Sequence, residues 1–204
     1  MRDLEKALAD ITAIRSQMAR GTEFQGYGPI TVAATSVLAL TAAGIQMLWL
    51  PEPSAHVLSY LALWVATATG SVILIAIEMV ARSRRIHSGL ADEMIHAATE
   101  QFIPAGVAGA LLTVVLFRFA PESVWMLPGL WQIVFSLGFF ASCRSLPRPM
   151  FAVGVWYLAA GLASLAFANG AHAFAPWAMA VPFGFGQLLM AGILYRSGTS
   201  HAET

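Results

Sequence analysis

Residues Ala55 to Val80 read AHVLSYLALWVATATGSVILIAIEMV, and Glu78 is the only acidic or basic side chain among them apart from His56. A helix rises about 1.5 Å per residue, so roughly 20 apolar residues cross a hydrocarbon core about 30 Å thick. The stretch is long enough. It is a continuous apolar run, without the alternation of a membrane β-strand. It therefore predicts a membrane-spanning helix, and five similar stretches flank it: Pro29–Leu50, Phe102–Phe119, Val124–Cys143, Pro149–Ala168 and Pro176–Tyr195.

Composition agrees with this reading. Of 204 residues, 58% are apolar and 11% charged, and the mean hydropathy is +0.70. A soluble domain carries about 25% charge, so a typical cytosolic enzyme and a disordered chain are excluded. The 11 basic and 11 acidic residues cancel, leaving no global field to attract nucleic acid. The lone Cys143 has no partner for an internal disulfide and reads as packing.

The links between stretches are short: Pro51–Ser54, Ala120–Ser123, Ser145–Arg148 and Asn169–His172. Short links make neighbouring helices antiparallel and adjacent. The expected fold is all-α: a six-transmembrane-helix bundle of three antiparallel hairpins. It forms one membrane domain over 29–196, preceded by an amphipathic segment and linker over 1–28 and followed by a polar tail over 197–204. Small residues at four-residue spacing (Ala62, Ala66 and Gly70; Gly106 and Ala110; Ala39 and Ala43) predict close helix approach, with the bundle tight around the second span.

The basic residues orient the chain. Arg2, Lys6, Arg15, Arg20, Arg82, Arg84, Arg85, Arg144, Arg148 and Arg196 all fall on one side, and Arg118 alone on the other. The positive-inside rule then puts both termini in the cytoplasm, with Trp49, Trp125 and Trp177 at the opposite interface. No cleavable signal peptide precedes the first span, which is expected to act as an uncleaved anchor. The implied location is a bacterial inner membrane, with the lipid bilayer as surroundings.

Two cytoplasmic stretches are amphipathic. Leu4, Ala7, Ile11, Ile14 and Met18 follow helical spacing, ending near Gly21. Such a stripe packs on the bundle, lies among headgroups, or docks a protein partner or a second copy of the chain through Leu4, Ile11, Ile14 and Met18. The other runs over 88–101, with Ile86, Leu90, Met94, Ala97 and Ala98 on its apolar side, and continues into the third span with a kink or break at Pro104.

The segment from Ile14 through Met18, Arg20, Thr22 and Phe24 to Gly26-Tyr27-Gly28-Pro29 resembles the start of a family of small multi-span bacterial inner-membrane proteins. These have an N-terminal amphipathic helix ending near Met-x-Arg-x-Thr-x-Phe. The resemblance covers about residues 11–30 and implies topology and bacterial origin. It carries no catalytic residues, because no activity is assigned to the family.

Several constellations bear on chemistry. Asp92, Glu93, His96 and Glu100 put carboxylates and an imidazole within helical turns of one another, a spacing that suits a divalent metal; the alternative is a solvated polar face, since di-iron bundles need two such motifs. Glu78 within the second span is a site for ion coupling by default, or a structural ion pair with Arg82, Arg144 or Arg196. Arg118 is expected to snorkel beside Glu122. His56 and His172 fall at the outer boundary. At mid-depth, Gln132 follows Pro128-Gly129, and Gln187 follows Pro182, Gly184 and Gly186. Broken helices beside an amide are how transporters build midplane sites, and interhelical hydrogen bonding is the plainer use. No haem-binding histidine pair, nucleophile–base set, or phosphate loop is legible, so no cofactor is expected.

The leading expectation is a non-enzymatic sensor or accessory subunit that docks a partner or itself through cytoplasmic helices. The alternative is a small-molecule carrier or substrate-binding membrane subunit, with its cavity lined by Gln132, Gln187, Pro182, Gly184, Gly186 and Glu78. A metal-dependent membrane enzyme ranks third.

Overall fold

The computed structural model describes residues 28–85, 89–143, 148–168 and 170–200; over 82–85, 89–99, 101, 171 and 198–200 it describes the backbone alone. Six α-helices follow in order: α1 Pro29–Trp49, α2 Val57–Arg85, α3 Gly89–Phe119, α4 Leu127–Ser142, α5 Phe151–Phe167 and α6 Trp177–Ser200. Short 3-10 turns at Pro121–Met126, Arg148–Met150 and Gly170–His172 lead into α4, α5 and α6. No strand occurs among the described residues. Six helices are long and apolar enough to cross a membrane.

Local sequence sets the helix ends. Pro29 occupies the first turn of α1, where a missing N–H costs nothing, and extended Gly28 (φ −76°, ψ 125°) precedes it. Pro128 likewise stands in the first turn of α4. The expected Pro128-Gly129 break is therefore a helix start, with no interrupted span before Gln132. Pro104 and Pro182 lie inside α3 and α6. As expected, the stretch before Phe102 is continuous with the third span. Gly170 takes the left-handed conformation (φ 56°) in the link to α6, where a side chain would be strained.

Several hydroxyls within the helices bond to their own backbone. Thr35, Thr41, Thr67, Ser71, Thr113, Ser136 and Ser142 each donate to the carbonyl three or four residues earlier, at 2.6–2.9 Å. This satisfies the hydroxyl without a partner helix.

In space the helices follow the order α2, α1, α6, α5, α4, α3, and α2 barely touches α3. The most extensive contacts join α4 to α5 and α1 to α6. The second of these pairs the first span with the last, which short links alone do not predict. The bundle is not tight around α2. Ala62 and Ala66 are exposed, as are Gly106 and Ala110 on α3, and among the described residues no atom lies within 4 Å of a Cβ placed on Gly70 or Gly106. Of the three stripes, that of Ala39 and Ala43 is buried.

The closest approach occurs where α4 crosses α5. A Cβ on Gly161 would stand 2.7 Å from the Gly129 carbonyl oxygen, and one on Gly129 would stand 2.8 Å from that of Gly161. Both positions need glycine because the two backbones touch.

Two apolar clusters fill the interior. One gathers Val32, Met79, Phe139, Met150, Val153, Tyr157, Met190, Ala191 and Leu194; the other gathers Ala39, Ala42, Ala43, Tyr60, Leu61, Trp64, Val124, Leu127, Ala173, Phe174 and Met179. Phe183 packs against both. The first lies toward the start of α1, the second toward its end.

Candidate functional site

Besides serines and threonines, the buried polar side chains include amides and aromatic hydroxyls that fall at three levels of the bundle. At the end of α1, Gln46 is fully buried. Its Nε2 donates to the Phe174 carbonyl at 2.6 Å, and its Oε1 accepts from Trp64 Nε1 at 2.9 Å. One amide thereby ties α1 to α2 and to the turn before α6. Tyr60 packs on Phe174 with ring centroids 4.8 Å apart, and its buried hydroxyl has no hydrogen-bond partner.

One level deeper, Gln132 on α4 is completely buried, and its Nε2 donates to the Ala178 carbonyl of α6 at 2.7 Å. A helical carbonyl normally accepts from the N–H four residues later. For Ala178 that residue is Pro182, which has none. Gln132 supplies the missing donor. Its Oε1 has no partner. Trp156 on α5 donates its indole N–H to the Pro182 carbonyl at 3.0 Å, and its ring lies 4.5 Å from that of Phe185.

Deeper again, Gln187 is buried with its Oε1 unpartnered. It lies beside the Tyr157 hydroxyl, although neither atom meets a partner in good hydrogen-bond geometry. Tyr157 rests on Gly186: a Cβ there would fall 2.6 Å from its hydroxyl oxygen. Phe135, Phe139 and Phe183 surround the tyrosine ring at centroid distances of 4.8, 5.8 and 5.2 Å.

Gln132 and Gln187 are thus not brought together. Gln132 meets α6 at Ala178, nine positions before Gln187, a rise of about 13 Å along a helix, and the Phe135–Tyr157–Phe183 cluster lies between. Pro182 interrupts only the hydrogen-bond ladder of α6, which remains one helix from Trp177 to Ser200. Gly184 is a packing position, since its Cβ would meet Leu40 of α1 at 3.3 Å. Gly186 admits the tyrosine.

Glu78 stands apart from these groups. It is half-buried near the end of α2, and its carboxylate occupies the space where a side chain on Gly28 would begin. That places acceptor oxygens at the amino end of α1, where backbone N–H groups lack intrahelical partners. Of the expected ion-pair partners, Arg82 and Arg144 lie outside the described side chains, and Arg196 is exposed at the end of α6.

The side chains of Asp92, Glu93 and His96 lie outside the described residues, as do Leu4, Ile11, Ile14 and Met18; Glu100 is exposed. No cluster of three metal-ligating side chains occurs among the described residues. Arg118 closes α3 while Glu122 belongs to the next 3-10 turn, and both are exposed. His56 and His172 are exposed beside the starts of α2 and α6.

Sequence reasoning passed over Gln46 and the tyrosines at 60 and 157. Gln46 carries the signal that singled out Gln132 and Gln187, an amide within an apolar stretch. The tyrosines look like ordinary apolar filler until their neighbours are known. No protein family, curated protein or solved structure matches the chain.

Proposed function

We propose that the chain is an integral protein of the bacterial inner membrane, crossing it six times with both termini cytoplasmic. It acts as a non-enzymatic sensor or accessory subunit that docks a partner, or a second copy, with its cytoplasmic helices as the primary contact. The observation that carries this reading is the outward turn of α2 and α3. No residue of the apolar stretch Phe102–Phe119 is buried, and small residues at 62, 66, 106 and 110 are exposed. Small residues on an outward face let another helix approach closely in lipid.

The test compares full-length protein with a chain lacking residues 1–20. Crosslinking in membranes, followed by identification of crosslinked species, is expected to lose its principal species on deletion. An unchanged pattern from correctly inserted protein overturns the reading.

A second reading, a small-molecule carrier, is favoured by the buried and unpartnered Tyr157 hydroxyl and Gln187 Oε1. Unpaired polar atoms in a dry interior are costly, and a hydrogen-bonding ligand repays that cost. Screening candidate ligands for a rise in melting temperature that Gln187→Leu abolishes tests it.

A further inference from the structure

Pro182 leaves one carbonyl of α6 without its helical donor, and side chains from two other helices hold the break. Gln132 of α4 takes the Ala178 carbonyl at 2.7 Å, and Trp156 of α5 takes the Pro182 carbonyl at 3.0 Å. The break also lies where the interior divides. Ala178, Met179 and Ala180 precede it, with Met179 in the cluster at the Gln46 end; Met190, Ala191 and Leu194 follow it, in the cluster at the Met79 end. Phe183, immediately after the proline, touches both clusters. Two separately packed halves joined through one weakened turn are the arrangement of a hinge.

The polar set around the hinge is incompletely satisfied. Gln132 Oε1, Gln187 Oε1 and the Tyr157 hydroxyl are buried without partners. They belong to the three helices that meet at the break. Buried polar atoms left without partners are costly, so this arrangement does not exhaust the hydrogen bonds that these side chains can form.

We propose that Gln132 and Trp156 form a two-point latch on the Pro182 break, and that the two halves of α6 hinge there when the latch opens. The inference goes beyond the docking reading and holds whether the partner is a protein or a small molecule. Gln132 grips an acceptor that exists only because residue 182 is proline. Trp156 adds a second grip on the other side of the break. With both engaged, α6 is held in one conformation.

The experiment is a double-mutant cycle on the detergent-purified full chain, together with a distance measurement. Gln132→Leu is expected to lower the melting temperature by about 2–4 °C. In a Pro182→Ala background, the restored N–H reclaims the Ala178 carbonyl, and the same substitution is expected to cost less than half as much. Equal cost in both backgrounds overturns the latch. For the hinge, spin labels replace Trp177 and Tyr195, exposed on either side of the break, with Cys143 changed to alanine. One narrow distance distribution is expected in the parent, and a broadened or second distribution in Gln132→Leu and in Trp156→Phe. Trp156→Phe keeps an aromatic side chain and removes the indole N–H, so it carries the test where Gln132→Leu does not fold. Superimposable distributions in the parent and the folded variants overturn the hinge.

Discussion

The α4–α5 crossing and the outer face of α2 are both built from small residues, yet they behave oppositely. At the crossing, Gly129 and Gly161 press backbone on backbone. On α2, Ala62 and Ala66 are exposed and Gly70 meets no atom within 4 Å of a Cβ position. The difference lies in what stands opposite. Each crossing glycine has a reciprocal glycine on the neighbouring helix, and Ile133 and Leu165 pack around them. The stripe on α2 has no such counterpart among the described residues. Small-residue spacing shows where close approach is possible, and the partner's surface decides where it occurs.

The largest effect that could break this contrast is expected at Gly161. Gly161→Val drives a side chain into the Gly129 carbonyl and Ile133, costing about 3 kcal/mol, and melting temperature should fall by about 6–12 °C. A neutral outcome would mean that the crossing is looser than the geometry states. Next comes Gln46→Leu, which strands the Phe174 carbonyl and the Trp64 indole N–H; loss of about 2 kcal/mol is expected in thermal or denaturant unfolding. Gly28→Ala pushes the Glu78 carboxylate from the start of α1 and should cost about 1 kcal/mol by the same measurements. Smallest is Ala66→Leu on the open stripe, expected to change stability by less than about 0.5 kcal/mol. A loss as large as that at Gly161 would erase the contrast. An unchanged melting temperature with reduced crosslinking between copies would sharpen it, by showing that the stripe serves contacts outside the chain.

The sequence yields the six helices because hydrophobic length is a local property: each stretch can be judged without its neighbours. Helix ends were legible for the same reason, with Pro29 beginning α1 and Pro121 following α3. Which helices touch was not legible. Pairing α1 with α6 depends on groups more than a hundred positions apart, such as the Gln46 amide and the Phe174 carbonyl in the turn before α6. The polar site was half legible. An amide in an apolar run announces a hydrogen bond, so Gln132 could be singled out, and Pro182 announces a weak turn. That the first repairs the second follows only when α4 is laid beside α6. That Gln132 meets α6 at a different depth from Gln187 was not legible, because depth along a bundle depends on how α4 and α6 are staggered, which neither helix encodes alone.

Glu78 sets that stagger for α1 and α2. The room for its carboxylate is the bare Cα of Gly28, with Val32 and Met79 packed into the same cluster. Sliding α2 along α1 by one turn, about 5.4 Å, would drag a carboxyl group in among alkyl groups. A single acidic side chain near the end of a long greasy rod thus works as a depth stop, allowing the two rods to seat at one height and no other.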